Sequence, residues 1–157
     1  MLEIPLEVSL SERIVRGICH PYHLRNGKLH WNAFWPPPTS NCVSVIRHDY
    51  VGSKFCKQKA KSLGTNGKTY RGLAFFHRAM VVNSGSDVVD SRGEYPGHAD
   101  VVHPYFAPPR GEPRGGKELL ALTDICKKLA KFAVYVQDPD PEHDEWLPEP
   151  VMLPPPK

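Results

Sequence analysis

The sequence feature that most constrains the fold is a long amphipathic pattern near the C-terminus, KELLALTDICKKLAKFAVYV (117–136). Glu118 lies near its start and several lysines lie near its end, as the helix macrodipole favours. Its apolar residues recur at the three- and four-residue spacing of one helix face. They are Leu119, Leu122, Ile125, Leu129 and Phe132. The pattern predicts one long helix that continues to Val136.

Most other apolar runs are short, rich in β-branched residues and bounded by glycine, proline or polar residues, which is typical of strands. The strand candidates are residues 2–8, 42–50, 68–77, 86–91 and 98–103. Strands mixed irregularly with two or three helices indicate the α+β class. We therefore expect a single compact α+β domain with a mixed or mostly antiparallel sheet, a long C-terminal amphipathic helix and an extended proline-rich acidic tail.

Local signals place three further elements. Ser9 followed by Glu12 has the spacing of a capping box and predicts a short helix through about Ile18. The pair Asn26-Gly27 (26–27) predicts a type I′ hairpin. A helix is expected from a Ser53 cap to Gly64, since its apolar residues keep helical spacing.

Charge and proline content divide the 157-residue chain into a globular part, 1–136, and an acidic tail, 137–157. Residues 1–136 hold 19 basic and 11 acidic side chains, a balance of +8. Such a basic body can attract nucleic acid or another polyanion, or its charge can be satisfied by the tail of the same molecule. Apolar tail residues are candidates for binding the body or another protein chain, and we select Trp146, Leu147 and Met152.

The composition excludes several classes of protein. No run of eighteen apolar residues is present, so we expect no membrane partner. The N-terminal residues lack the basic start and apolar core of a signal peptide, and a cytoplasmic location is the interpretation. The four cysteines form no Cys-x-x-Cys pair and are expected to be reduced thiols.

The stretch GEYPGHADVVHPY (93–105) carries two histidines and an aspartate in a short apolar run. Alternate residues of a strand share a face and lie about 6.5 Å apart, so His98 and Asp100 should point the same way. They could share a ligand, act as an acid–base pair or bind a metal, and they are our catalytic candidates. His103 has the opposite parity. The alternative is a hydrogen-bonded pair with a purely structural role.

Arginines and a histidine at strand ends are candidates for holding a phosphate or carboxylate, because a guanidinium binds oxyanions through two parallel hydrogen bonds. The substrate-binding candidates are Arg47, His77 and Arg78. The alternative is that these cations pair with aspartate or glutamate of the same chain.

Two further patterns carry weaker signals. Cys19, His20 and His23 fall within five residues and could contribute to a zinc site, but the hairpin explains the region without metal. We predict no metal and no cofactor. Basic residues interleaved with aromatics in RNGKLHWNAFW (25–35), together with the lysines of 54–61, suit a single-strand nucleic-acid binder, or are a core and a solvated helix face.

Two functions follow from these patterns. The first is a non-enzymatic interaction module, an accessory subunit of a larger assembly that docks through its tail and basic body. The second is a small enzyme or ligand-binding domain acting on a phosphate-bearing substrate, a nucleotide or nucleic acid, with a His98–Asp100 acid–base pair and an arginine anion holder. No catalytic motif such as Gly-x-Ser-x-Gly is present, so the sequence does not decide whether the protein is an enzyme.

Overall fold

A computed structural model describes residues 3–64, 67–112 and 116–146. The elements in chain order are β1 (Arg13–His20), β2 (Leu24–Arg25), β3 (Lys28–Leu29), a 3₁₀ turn (Trp31–Phe34), β4 (Cys42–Arg47), α1 (His48–Ser62), β5 (Thr69–His77), α2 (Arg78–Ser84), β6 (Asp87–Asp90), β7 (His98–Val102), α3 (Lys117–Phe132) and β8 (Val134–Gln137). The α+β class is confirmed. None of the helices in the described ranges is long and apolar enough to cross a membrane.

Six strands form the main sheet in the order β6–β7–β4–β1–β5–β8, and the pairings between them are antiparallel. Strand β1 lies near the centre. It pairs with β5 along its whole length but with β4 only at Ile14↔Arg47 and Val15↔Ile46. The two short strands β2 and β3 form a separate hairpin. Its turn has positive φ at Asn26 and Gly27, which confirms the predicted type I′ geometry.

Helices cover both faces of the sheet, and strand alternation sorts the apolar residues between them. On one face Val15, Leu73 and Phe75 pack against α1 in a cluster that also contains Trp146. On the other face Ile14, Ile18, Ala74 and Phe76 join a larger cluster with residues of α2, α3 and the 3₁₀ turn. The sheet is therefore the middle layer, and residues of β1 reach two different environments according to parity.

Three sequence predictions of secondary structure are wrong. Residues 3–8 form no strand. Ser9 and Glu12 do make the contact of a capping box, with Ser9 N donating to Glu12 Oε1 at 3.4 Å. However, the chain continues from this turn into β1, because its residues pair with β4 and β5. Finally, α3 ends at Phe132 and residues 134–137 form the edge strand β8.

Candidate functional site

The catalytic candidates His98 and Asp100 lie on the same face of β7, as parity requires, but they are not hydrogen-bonded to each other. His98 is buried, and its Nδ1 donates to the carbonyl oxygen of Ser91 at 2.9 Å. Its ring packs edge-on against Tyr95 with centroids 5.0 Å apart. The Asp100 carboxylate makes no hydrogen bond or ion pair within the described residues. His98 lines a narrow groove of about 150 Å³ that Lys59 also borders.

Arg47 is fully buried and its guanidinium is occupied by groups of the same chain. Nε and Nη2 donate to Glu12 at 2.7 and 2.9 Å, and Nη1 donates to Asp90 at 2.7 Å. The carbonyl oxygens of Pro5 and Glu7 accept further hydrogen bonds. With 0% exposure and two carboxylates, Arg47 has no position left for a ligand anion.

Arg78 and His77 both form hydrogen bonds with the segment that precedes β1. Arg78 binds Asp87 through two nitrogens, at 2.8 and 3.2 Å, and donates to the carbonyl oxygen of Val8. His77 is buried and its Nδ1 donates to the carbonyl oxygen of Ser11. The structure therefore does not bring the three anion-binding candidates together with His98. Both arginines pair with carboxylates of the same chain, which is the alternative given for them in the sequence analysis.

The cysteine–histidine cluster is a turn held by a hydrogen bond. The backbone N–H of Cys19 donates to His23 Nδ1 at 3.0 Å. Across the described ranges, no three histidine, cysteine or acidic side chains lie close enough to hold a metal ion. His103 is likewise structural, since its ring nitrogens bond to Ser86 Oγ and to the carbonyl oxygen of Phe34.

The first part of the acidic tail packs against the body of the chain. Trp146 is 3% exposed in the cluster beneath α1. Lys57 is fully buried and forms an ion pair with Asp138 at 2.9 Å. Its ammonium also donates to the carbonyl oxygens of Asp140 and Glu145. The other two tail candidates, Leu147 and Met152, lie outside the described residues.

A different cation, Arg16, has the properties expected of an anion-binding group. It lies on the face of β1 that points towards the 3₁₀ turn, and it is partly buried. Its Nε donates to the carbonyl oxygen of Ala33 and its Nη1 to that of Ser44, each at 3.0 Å. Within the described part of the chain, Arg16 has no carboxylate partner and its Nη2 makes no hydrogen bond.

Arg16 opens into a pocket of about 680 Å³ whose described lining is basic and aromatic. Its charged lining residues are Arg16, Lys68 and Arg110, and none of the described lining residues is acidic. Lys68 Nζ lies 5.6 Å from the centroid of the Tyr22 ring. The volume falls within the range of about 300–1,000 Å³ that small-ligand pockets occupy.

The surroundings of the pocket shift the pKa values of two of its side chains. Removal from water lowers the pKa of Arg16 to about 10, and the nearby Cys19 thiol opposes this shift only in part. Burial, together with the charges of Arg16 and Lys68, lowers the pKa of His23 to about 3. His23 is therefore neutral at physiological pH. Because its Nδ1 accepts from Cys19, its proton is on Nε2.

The remaining walls are rich in proline and partly aromatic. Trp35 and the prolines at 36–38 form one side, and Trp35 packs edge-on against Trp31 with centroids 5.4 Å apart. Asn32 also lines the pocket, and its side-chain amide makes no hydrogen bond within the described residues. The aromatic residues of 25–35 therefore have two different roles. Phe34 is fully buried in the core, whereas Trp35 borders the pocket.

The sequence does not identify Arg16, because the capping-box pattern predicts a helix through about Ile18 and an arginine on a short helix is typically solvated. As a strand, the same residues place Arg16 between Ile14 and Ile18 on a core-facing side. An arginine in that position needs a partner, and this could have identified it. The groove beside His98 involves the opposite face of β1, that of Gly17.

Comparisons with protein-family models, with curated protein sequences and with solved structures found no match for this chain.

Proposed function

We propose that the protein is a non-enzymatic binding module that holds a phosphate-bearing ligand in the basic pocket formed by Arg16, Lys68 and Arg110. The observation that carries this proposal is the absence of any described carboxylate partner for Arg16. Such a module suits an accessory subunit that brings a ligand to a larger assembly.

The contrast with Arg47 and Arg78 supports the proposal. Arg47 and Arg78 are each bound by aspartate or glutamate, which offsets the cost of removing a cation from water. Arg16 is desolvated but receives only two neutral carbonyl oxygens. An oxyanion that accepts from Nη2 would supply the missing charge, and charge-assisted hydrogen bonds of this kind are roughly twice as strong as neutral ones.

The neighbouring groups favour phosphate. Lys68 and Arg110 add two positive charges at the same pocket, and the neutral His23 offers an Nε2–H donor. A phosphate group offers three acceptor oxygens and close to two negative charges, against two oxygens and one charge for a carboxylate, so it can use more of these donors at once. Catalysis by His98 and Asp100 is not part of the proposal, because these residues belong to the other face of the sheet.

Isothermal titration with inorganic pyrophosphate tests the proposal. We expect saturable binding by the full chain that weakens as salt is raised. The double variant Lys68→Met/Arg110→Met should lower the affinity at least tenfold, since these exposed cations make no ion pair within the described residues. The matched control is Lys117→Met/Lys127→Met on α3, which removes the same charge elsewhere. Equal loss in both double variants, or no binding by the native chain, would refute a site at this pocket.

A further inference from the structure

Exposed aromatic surface in the basic pocket is not explained by phosphate binding. Tyr22 is 50% exposed, and it lies on the rim beside Lys68. A phosphate group is satisfied by cations and N–H donors and gains nothing from a ring face. A planar, apolar ligand group does gain from it, because stacking removes both surfaces from water.

Polar groups that line the same pocket as Tyr22 are suited to hydrogen-bonding with the edge of such a planar group. The amide of Asn32 offers both a donor and an acceptor, and neither is used within the described residues. The neutral His23 adds an Nε2–H donor. Adjacent donors and an acceptor match the edge of a nucleobase, on which these two kinds of group alternate.

From this combination we propose that the ligand of the basic pocket is a nucleotide unit, with its phosphate on Arg16 and Lys68 and its base stacked on Tyr22 against Asn32. The inference rests on the proposed phosphate-binding function and adds the chemistry of the rest of the ligand. The nucleotide unit can belong to a free mononucleotide or to a single strand, since both present the same base and phosphate.

The size and position of the pocket agree with this ligand. About 680 Å³ accommodates a base, a sugar and a phosphate together, and is larger than a phosphate group needs. The hairpin that follows Tyr22 and His23 carries Arg25 and Lys28, both exposed. A strand leaving the pocket in that direction would meet further positive charge, as single-strand binding surfaces provide.

The test compares AMP and UMP with ribose 5-phosphate, phenyl phosphate and a fluorescent ten-nucleotide single strand, all titrated into the full chain. We expect at least one nucleotide to bind roughly five- to a hundredfold more tightly than ribose 5-phosphate, the range that base stacking supplies. Tyr22→Leu should abolish that difference, so that this variant binds the nucleotide no more tightly than it binds ribose 5-phosphate. Phe132→Leu, which alters an equally exposed ring on α3, should change neither affinity.

The outcomes separate this inference from the proposed function. The inference is wrong if ribose 5-phosphate binds as tightly as every nucleotide and the single strand. It is also wrong if phenyl phosphate binds as tightly as the nucleotides. In both cases the proposed phosphate site is still supported. If no phosphate compound binds, the proposed function fails as well. A strand that binds more tightly than the mononucleotides identifies nucleic acid as the source, and equal affinities identify the free nucleotide. Either result supports the inference.

Discussion

Replacing Lys57 with methionine should destabilise the protein by about 3–5 kcal/mol, the typical cost of removing one partner from a buried ion pair. Lys57 is fully buried, and the Asp138 side chain that it binds is 1% exposed. Tyr70 donates a second hydrogen bond to that carboxylate at 2.7 Å, which is too little to replace the lost charge. Two backbone carbonyl oxygens also lose their donor.

Urea unfolding followed by circular dichroism measures the loss, and amide exchange shows where it acts. The N–H of Asp138 donates to the carbonyl oxygen of Arg71, so its exchange should accelerate when the segment is released. Lys54→Met is the matched control, because the Lys54–Glu145 pair is exposed and is worth at most about 1 kcal/mol. Adding Asp138→Asn to the Lys57→Met variant should recover part of the stability, since the orphaned charge is removed. An unfolding midpoint and an Asp138 exchange rate identical to those of the native chain would refute this reasoning.

Two further predictions concern the sheet and the pocket. Gly17→Ala should lower the free energy of unfolding measured in urea by about 1–3 kcal/mol, because the new Cβ would lie 2.7 Å from the Cβ of Ala60 in α1. Adding Ala60→Gly should restore stability, and a lack of rescue would contradict the close approach. His23 is neutral in the folded state with a pKa of about 3, whereas the unfolded chain takes up its proton near pH 6.5. Stability should therefore fall as pH drops below about 6.5, by up to about 1.4 kcal/mol per pH unit from this group. His23→Gln should flatten that slope in unfolding curves measured between pH 7 and pH 4.5, and an unchanged slope would count against a buried neutral ring.

The sequence predicts the four strands from β4 to β7 well because their β-branched runs are local signals. It fails at residues 9–18, where a real capping-box contact forms but is followed by a strand. There, pairing on both sides with β4 and β5 outweighs the local helix signal. The edge strand β8 was missed for a related reason. Its residues extend the helical pattern of α3, and only pairing with β5 distinguishes them.

Strand parity predicted the shared face of His98 and Asp100, but parity does not determine hydrogen-bond partners. The partner of His98 is a carbonyl oxygen seven residues away, at Ser91, in the loop that joins β6 to β7. The partners of Arg47 are equally non-local, since Glu12 and Asp90 are 35 and 43 residues away. Ion pairs of this kind depend on the tertiary fold, so sequence patterns could not show which arginines are occupied.

Sequence patterns are equally unable to show that an arginine such as Arg16 has no carboxylate partner among the residues that the structure describes. Its lack of a carboxylate partner becomes meaningful only when its burial and its neighbours Lys68 and Arg110 are known. Those cations come from three separate parts of the chain, and no local motif connects them. The basic body and the aromatic stretch at 25–35 are visible in the sequence, and the phosphate-bearing or nucleic-acid ligand that they suggest stays a prediction.

The most direct test of the central claim is the ¹⁵N NMR spectrum of the protein, including the arginine Nε signals, during titration with AMP. The account predicts saturable shifts at Arg16 Nε and at the backbone amides of Tyr22, Asn32 and Lys68, with the amide of Lys127 on α3 unchanged. An Arg16 Nε signal that does not move, or shifts confined to the groove beside His98, would contradict it.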